Sequence, residues 1–370
     1  RSPARRPGQV EDRTTPSDRG GVSMQPLPGF KHFTTHHCVS GSLRHIYAFY
    51  GYPISEEMLL GLGAGVGFIY WHTKGTLPFL GGRANLERPG VEGFEKAIGR
   101  RTGVKVGTFR TSSAAKAENT LLDMLLDGQP VMLVLDMGFL PYFDFGGQEY
   151  HFGYHVVVAC GYDPQARQVL LADRDDALHP VSLETLEKAR GSKYKPFPPK
   201  HAWYKFEFGD KRPPEVGEMW QAIRECASAM LAPPIANFGV KGIYKAGRRV
   251  QDWPDVLDEE DLRATCINTA ILIDARGGTG GGLFRYMYAR FLDEVAGLTG
   301  ERQLVEIGKD MQAIGDQWQV AAGLFERAAG ANNPAHLLGE VSDLLPQIAT
   351  QEQLAWQGLM ALSKAQVAKM

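Results

Sequence analysis

Three residues in the first half of the chain have the types and positions that nucleophilic catalysis requires. Cys38 begins a run of apolar residues at helical spacing, and the positive end of a helix dipole favours the thiolate form of such a cysteine. His155 opens a very apolar strand, VVVAC, whose neighbours would hold its ring at the mouth of a cleft. We expect Asp173, at the end of the next strand, to orient this ring and stabilise its cation. The pattern predicts that Cys38 is a nucleophile and His155 its general base.

Each of these residues also has a plainer interpretation. Cys38 could be a small core residue, and His155 could cap a strand or hydrogen-bond a backbone carbonyl. Asp173 could be a turn residue, and other nearby acids compete for its role: Asp163, Asp175 and Asp176. A metal site is not expected, because His36 and His37 are adjacent and would point in different directions on a helix or a strand.

The first half of the chain alternates helical and strand patterns. Residues 38–50 form an amphipathic helical pattern, and residues 155–163 and 168–173 form two strand patterns separated by a turn. A hairpin of these two strands would bring Asp173 back toward His155. The sequence therefore predicts that a helix and a hairpin position the three candidate catalytic residues.

The second half is almost entirely helical in pattern, and we place a domain boundary near residues 211–214. Its helical segments are residues 216–231, 259–273, 283–296, 301–330 and 335–365. The predicted fold class is α+β, with an N-terminal domain over residues 24–212 and a mostly α-helical C-terminal domain over residues 213–370. Residues 1–23 contain no apolar run, and this predicts that they are a disordered tail or a non-native remnant.

Composition excludes several classes of function. The net charge is −2, so no global basic field favours nucleic acid. No run approaches the roughly 20 apolar residues of a membrane helix. The four cysteines lie at positions 38, 160, 226 and 266 and form no C-x-x-C pair. Together these features predict a cytoplasmic protein with reduced cysteines, without a membrane or nucleic-acid partner.

Several segments resemble a known family in combination. HHCVSGSLRHIYAFYG, then GYHVVVACGYD, then LLAD resemble the N-terminal-domain family of butirosin biosynthesis protein H (BtrH). The later segment IDARGGTGGGLFRYMYARFLDEVA resembles the domain of unknown function that usually follows it. The first family is similar to the papain-like cysteine peptidases that process bacteriocins. The resemblance therefore implies a papain-like N-terminal domain.

What the resemblance implies for function is acyl transfer in natural-product biosynthesis. An acyl group carried by phosphopantetheine, as on an acyl carrier protein, would pass to Cys38 and then to a small-molecule amine acceptor. His155 would move the protons and Asp173 would orient His155. No further cofactor is implied. Coenzyme A as an alternative donor, and a homodimer, are both left open by the sequence.

One departure from the papain-like pattern concerns the oxyanion. No Gln stands in the residues just before Cys38, which read HFTTHH. We expect the Cys38 backbone amide to serve instead, together with a side chain from Thr35, His36 or His37.

Two further segments are candidates for substrate binding. The glycine-rich run over residues 277–282 could receive a pantetheine phosphate through Gly280 and Gly281, with Arg285 as counter-charge. The plainer alternative is a tight interdomain turn where only glycine fits. The aromatic loop over residues 140–154, with Tyr154 at its end, could form an acyl pocket or could simply cover the sheet.

Two other functions compete with acyl transfer. A cysteine peptidase or amidase would use the same residues, with water in place of the amine. A non-catalytic binding protein would keep the fold but have an unreactive Cys38 with an ordinary pKa.

Overall fold

The computed structural model describes residues 24–83, 92–145, 147, 149–195 and 197–367. The predicted tail over residues 1–23 lies outside these described residues. The fold is α+β, as the sequence predicts: a sheet and five helices come first, followed by seven helices. No helix in the described ranges has both the length and the apolar character needed to cross a bilayer.

The chain has twelve α-helices and eight strands within the part that is described. The strands are β1 (Ile69–Trp71), β2 (Phe79–Gly81), β3 (Lys105–Phe109), β4 (Val131–Leu135), β5 (His155–Asp163), β6 (Gln168–Ala172), β7 (Leu178–Ser182) and β8 (Trp203–Glu207). The helices are α1 (Cys38–Phe49), α2 (Glu56–Leu62), α3 (Phe94–Thr102), α4 (Ala114–Leu126), α5 (Leu183–Gly191), α6 (Val216–Leu231), α7 (Gly239–Val250), α8 (Trp253–Val256), α9 (Glu259–Ile273), α10 (Arg285–Thr299), α11 (Gln303–Gly330) and α12 (Ala335–Val367).

The main sheet is antiparallel, with strand order β3-β8-β4-β5-β6-β7. Successive side chains of a strand point to opposite faces of the sheet. The central strands are apolar at successive positions, so both of their faces are buried. Val156 and Val158 of β5 belong to one apolar cluster, and Val157 and Ala159 belong to a second. β5 pairs with β6, which confirms the predicted hairpin. The sheet is thus the middle of three layers.

Helices cover the two faces of this sheet. α4 and α5 pack on one face, where Leu121 and Leu186 join the second cluster. α1 packs on the other face and is tied to β5 by the Ser42 hydroxyl, which donates to the Val156 carbonyl at 3.2 Å. The start of α1 is therefore fixed relative to the start of β5.

The predicted N-terminal and C-terminal parts share one apolar core. The cluster that contains Leu43 of α1 and Leu59 of α2 also contains Phe291 of α10, Trp318 of α11 and Trp356 of α12. Backbone bonds reinforce this continuity, since the Phe68 carbonyl accepts from the amide of Gly239, at the start of α7. The helical part is consequently packed against the sheet-bearing part rather than joined to it only by a linker.

Four elements escape the sequence pattern and one begins late. The sequence predicts none of β2, β7, α7 and α8. The three glycines of α7 lower its helix propensity, but Gly247 lets α12 approach closely, since a Cβ there would lie 3.1 Å from Pro346 Cδ. α10 begins at Arg285 rather than at Leu283, because Leu283 and Phe284 have φ of +50° and +73°.

A buried ion pair links the helical part to the sheet-bearing part. Arg285 Nε donates to Glu352 Oε1 at 2.6 Å, and neither side chain is exposed. The carboxylate also accepts from the indoles of Trp318 and Trp356, at 3.0 and 2.6 Å. Arg285 Nη1 donates to the Gly67 carbonyl, just before β1, at 3.1 Å. Arg285 Nη1 also donates to the Leu283 carbonyl at 2.7 Å, whereas Nη2 is buried without a hydrogen-bond partner. Because neither charge of the pair is exposed to water, the geometry of the pair is strictly constrained.

Replacing Arg285 by methionine should strongly destabilise the protein, since the Glu352 carboxylate would remain buried without its counter-charge. We expect a loss of about 3–5 kcal/mol in the free energy of unfolding, measured by urea denaturation. The matched control is Arg290→Met, because Arg290 pairs with Glu57 at the surface and should contribute about 1 kcal/mol or less. Equal losses in the two variants would contradict this assignment.

Candidate active site

Cys38 is the first residue of α1, and its thiol is free and partly exposed. The residue before it, His37, is the N-cap, with extended backbone angles. Amide groups at a helix N-terminus point outward and carry partial positive charge. The Cys38 sulfur therefore lies where negative charge is favoured.

A single carboxylate holds the turn that precedes Cys38. Glu56, near the start of α2, is buried, and it accepts hydrogen bonds from the amides of His36 and His37 at 2.9 and 2.7 Å. The Ser40 hydroxyl donates to the same carboxylate at 3.0 Å. Glu56 is thus the group that fixes the backbone leading into the nucleophile.

Thr35, on the other side of this turn, is held by a hydrogen bond to Arg174 and by close packing against α1. The Thr35 amide donates to the Arg174 carbonyl at 2.8 Å. The Thr35 side chain lies against Gly41 of α1, where an added Cβ would come within 2.2 Å of Thr35 Oγ1. A side chain at position 41 would therefore push this segment away from α1.

His155, the first residue of β5, contacts both of its predicted partners. Its Nε2 is 2.7 Å from Asp173 Oδ2, and both side chains are almost fully buried. The ring also interacts with the Cys38 thiol, since each group shifts the pKa of the other. Since Asp173 occupies Nε2, Nδ1 is the ring nitrogen available to the sulfur.

Asp173 is held by more than its bond to His155. The Tyr142 hydroxyl donates to Asp173 Oδ2 at 2.9 Å, and the Arg174 amide donates to Oδ1 at 2.8 Å. The competing acids bond elsewhere: Asp163 accepts from turn amides, and Asp175 lies 2.9 Å from the ring of His179. Asp173 is therefore the acid that the fold brings to His155.

The electrostatics of the three residues favour an ion pair. Burial raises the pKa of Cys38, but the hydrogen bond and charge of His155, helped by Arg174, outweigh it, so the pKa is lowered. Burial lowers the pKa of His155, whereas Asp173 and Cys38 raise it, to about 9. Burial likewise raises the pKa of Asp173, but His155 and other donors bring it down to about 2. These shifts favour a Cys38 thiolate and a His155 imidazolium beside the Asp173 carboxylate.

A cavity of about 490 Å³ opens at this ion pair. One wall is the aromatic loop, including Phe143, whose ring stands edge-on to His155 at 5.4 Å. The opposite wall is α9 with the start of the glycine-rich run, Gly277 and Gly278. A larger cavity, about 920 Å³, lies between residues 70–77 and helices α7–α9 and contains none of the candidate catalytic groups.

The predicted oxyanion donors differ in placement. His37 lines the cavity and is buried, whereas His36 is exposed. Burial, together with Arg83 and Arg174, holds the pKa of His37 well below its ordinary value. His37 Nε2 lies 3.0 Å from Arg83 Nη1, which can only donate, so in this tautomer Nε2 accepts. The ring consequently has no Nε2 proton to offer an oxyanion.

The structure does not bring the residues predicted to bind a phosphate together at the cavity. Arg285 is fully buried in its pair with Glu352 and cannot act as a counter-charge at the cavity. Gly280 and Gly281 pack against Met287 and Tyr286, whereas Gly277 and Gly278 line the cavity. Gly278, Gly280, Gly281 and Gly282 all have positive φ. The run is thus the tight turn that the sequence analysis offered as the alternative.

Tyr154 is not among the residues that line the cavity, and it is 37% exposed. Burial raises the pKa of Tyr154, as do the charges of Glu95 and Cys38, while a hydrogen bond with Tyr204 lowers it. Its ring packs edge-on against Phe197. Tyr154 is close enough to Cys38 to feel its charge but lines a different surface.

Sequence reasoning missed three residues that act on this site: Glu56, Tyr142 and Arg174. Glu56 opens a helical pattern, and only the fold reveals that its carboxylate turns back toward Cys38. Tyr142 stood in the aromatic loop without an assigned partner. Arg174 is adjacent to Asp173, and this adjacency was the one signal available. Within the described residues, no group of three or more His, Cys, Asp or Glu side chains could hold a metal ion.

Comparison with known families matches two consecutive regions of the chain. Residues 37–174 match the family described as butirosin biosynthesis protein H, N-terminal. Residues 184–359 match a domain of unknown function, DUF4872. No curated protein is significantly similar to the chain. The first match spans Cys38, His155 and Asp173, and the resemblance stated from the sequence is confirmed.

Iodoacetamide should alkylate Cys38 with a rate that rises around an inflection below about pH 8.5, the pKa of a free cysteine. In His155→Ala, burial remains while the stabilising imidazolium is lost, so the inflection should move up by roughly 1 pH unit or more. The measurement is adduct mass against time at each pH. The other three cysteines are buried and free, so the adduct reports on Cys38.

The control for this experiment is His336→Ala, which changes an exposed histidine on α12. Its inflection should equal that of the wild type. An unchanged inflection in His155→Ala would refute the ion pair.

Glu56→Ala should slow alkylation even at high pH, where the thiol is fully ionised, because the turn before Cys38 loses its acceptor. The buried His37 amide would be left without a partner, at a cost of about 1–3 kcal/mol, and the partly buried His36 amide would also lose its acceptor. Glu56→Gln keeps one carbonyl acceptor and should fall between wild type and Glu56→Ala. The adjacent Glu57→Ala is the control; if it slows the high-pH rate as much, Glu56 does not position the nucleophile.

Proposed function

We propose that this chain, whose residues 37–174 match the butirosin biosynthesis protein H N-terminal family and whose residues 184–359 match a DUF4872 domain, is a cysteine-dependent acyltransferase. The first match suggests a biosynthetic enzyme. The observation that carries the finer proposal is the series Cys38–His155–Asp173 at the mouth of a cavity, with His155 hydrogen-bonded to Asp173 and electrostatically coupled to Cys38. A helix-borne nucleophile packed on an antiparallel sheet that supplies the base and its orienting acid supports a papain-like classification of the fold.

In the first half-reaction the Cys38 thiolate attacks the carbonyl carbon of an acyl thioester. A new carbon–sulfur bond forms to Cys38, and the bond to the donor sulfur breaks. His155, protonated up to a pKa of about 9, gives its proton to the departing thiol. The products are an acyl-Cys38 thioester, a free donor thiol and a neutral His155.

In the second half-reaction an amine attacks the acyl-Cys38 carbonyl. The carbon–nitrogen bond forms as the carbon–sulfur bond to Cys38 breaks, and His155 accepts the proton that the amine loses. The thiolate and imidazolium are restored together with the amide product. Asp173, whose pKa is about 2, stays ionised throughout and stabilises the imidazolium.

The negative oxygen of each tetrahedral intermediate needs donors near Cys38. The Cys38 amide at the α1 N-terminus supplies one. We assign the second contribution to the Arg174 guanidinium, whose charge already lowers the pKa of Cys38. This assignment replaces His37, whose Nε2 accepts from Arg83, and the exposed His36.

The donor and acceptor are proposed by class. A pantetheine-linked acyl group is the donor, on an acyl carrier protein or on coenzyme A, and a small-molecule amine is the acceptor. α7 presents Lys241, Lys245, Arg248 and Arg249, a basic surface suited to an acidic carrier protein. Two of these cations already have partners, because Lys245 bonds Asn237 and Arg249 bonds Asp252.

Two alternatives use the same fold. A peptidase or amidase would hydrolyse the acyl-Cys38 intermediate with water. α9 and the glycine-rich run cover the cavity on one side, which restricts water and favours a bound acceptor. A non-catalytic binding protein would not need the lowered pKa of Cys38, and this observation disfavours it.

Incubation with a panel of acyl-pantetheine thioesters should add the mass of one acyl group to the protein. The adduct should be absent in Cys38→Ala, and His155→Ala should form it about 10²–10⁴-fold more slowly. Intact mass spectrometry against time gives both results. An adduct that persists in Cys38→Ala, or cleavage of peptides without any adduct from thioesters, would refute the proposal.

A further inference from the structure

We propose that the acyl group carried by Cys38 is apolar, a chain of several methylenes or an aryl group, held between α9 and the aromatic loop. This inference rests on the proposed acyltransferase function and specifies its donor. The cavity of about 490 Å³ beside Cys38 is of the size that small-molecule sites use. Its chemistry is what selects the acyl group.

The first observation is that α9 has apolar side chains on two faces. Leu262, Cys266 and Ile273 are buried in the main core. Ile267 and Ile271, one helical turn apart, instead line the cavity. Ile267 is 41% exposed, so an apolar group in the cavity could bury more of this side chain.

The second observation is that aromatic side chains form the opposite wall. Phe143 stands edge-on to the His155 ring at 5.4 Å and stacks on Phe145 at 5.9 Å. Phe145 in turn packs against Tyr150 at 4.8 Å. This wall begins at the catalytic base and continues away from it, so an apolar chain attached to Cys38 would lie along it.

The third observation concerns the charged groups at the rim. Arg276 is paired with Asp274 and Glu326, both at 3.0 Å. Glu149 accepts from the Tyr194 hydroxyl at 2.8 Å and lies 3.3 Å from the His151 ring. Because these two charges are already compensated, they offer little to a charged acyl chain. Arg174 also lines the cavity, and the proposed mechanism places this cation at the oxyanion rather than along the acyl chain.

The occupant of this cavity is the acyl group rather than the amine. The acyl group is covalently joined to the Cys38 sulfur, so it must occupy the space next to that sulfur. An amine acceptor approaches the carbonyl from outside and is polar, which makes an apolar wall unfavourable for it. The walls therefore determine which donors are accepted.

The apolar acyl site can be tested by the binding of acyl-pantetheine probes to Cys38→Ala, a variant that cannot be acylated at this position. The probes are S-acetyl-, S-butyryl-, S-hexanoyl-, S-octanoyl- and S-glutamyl-pantetheine, measured by isothermal titration calorimetry. Affinity should rise about fourfold per methylene buried until the cavity is full, and the glutamyl probe should bind no tighter than the acetyl probe. No rise with chain length, or tightest binding of the glutamyl probe, would overturn the inference.

Ile267→Asp in the same background places a charge on the cavity wall at a partly exposed position. It should abolish the chain-length dependence, whereas the control Val320→Asp, on the exposed side of α11 (52% exposed), should leave it unchanged. Chain-length dependence that survives Ile267→Asp would place the acyl group elsewhere.

The two proposals fail in different ways. Selective binding of longer chains to Cys38→Ala, with no adduct on wild-type Cys38, would refute acyl transfer while supporting an apolar site. An adduct on wild-type Cys38 that forms best with the glutamyl donor would support acyl transfer and refute the apolar site.

Discussion

The buried pair Arg285–Glu352 is the interaction on which the arrangement of the whole molecule depends. Two opposite charges with no exposure to water tolerate little displacement, because each is stable only beside the other. Arg285 also bonds the Gly67 carbonyl, so the pair fixes the start of α10 against the segment before β1. The glycine-rich run leads directly into α10, and α9 leads into that run. The position of α9 over Cys38 therefore follows from a charge pair that never meets substrate.

The site itself resolves a conflict between burial and ionisation. Burial alone would keep Cys38 and His155 neutral, which would leave a weak nucleophile and no proton for the departing thiol. Asp173 raises the pKa of His155 against the effect of burial, and His155 lowers the pKa of Cys38 against the effect of burial. The charges are thus arranged as a series in which each stabilises the next. Glu56 contributes differently, by holding the backbone before Cys38 through two amides.

Local signals in the sequence were sufficient to predict that Cys38, His155 and Asp173 lie together, and insufficient for their surroundings. Helical spacing after Cys38, the apolar strand after His155 and the hairpin that returns Asp173 are all patterns within one or two elements. Glu56 and Arg285 depend on contacts between distant elements, which no local pattern contains. α7 was missed for a related reason, since its glycines lower helix propensity while allowing close packing on α12. The cavity, formed by a loop and a helix far apart in sequence, could not be derived before the fold.

The most direct test of acyl transfer is a single-turnover chase of the isolated acyl-enzyme. Wild-type protein is acylated, freed of donor and mixed with a primary amine in ¹⁸O-labelled water. The account predicts that amide appears in an amount equal to the acyl-Cys38 consumed, and faster than any ¹⁸O-labelled carboxylic acid. Loss of the acyl group mainly as labelled acid, at a rate independent of amine concentration, would contradict it and identify the protein as a hydrolase.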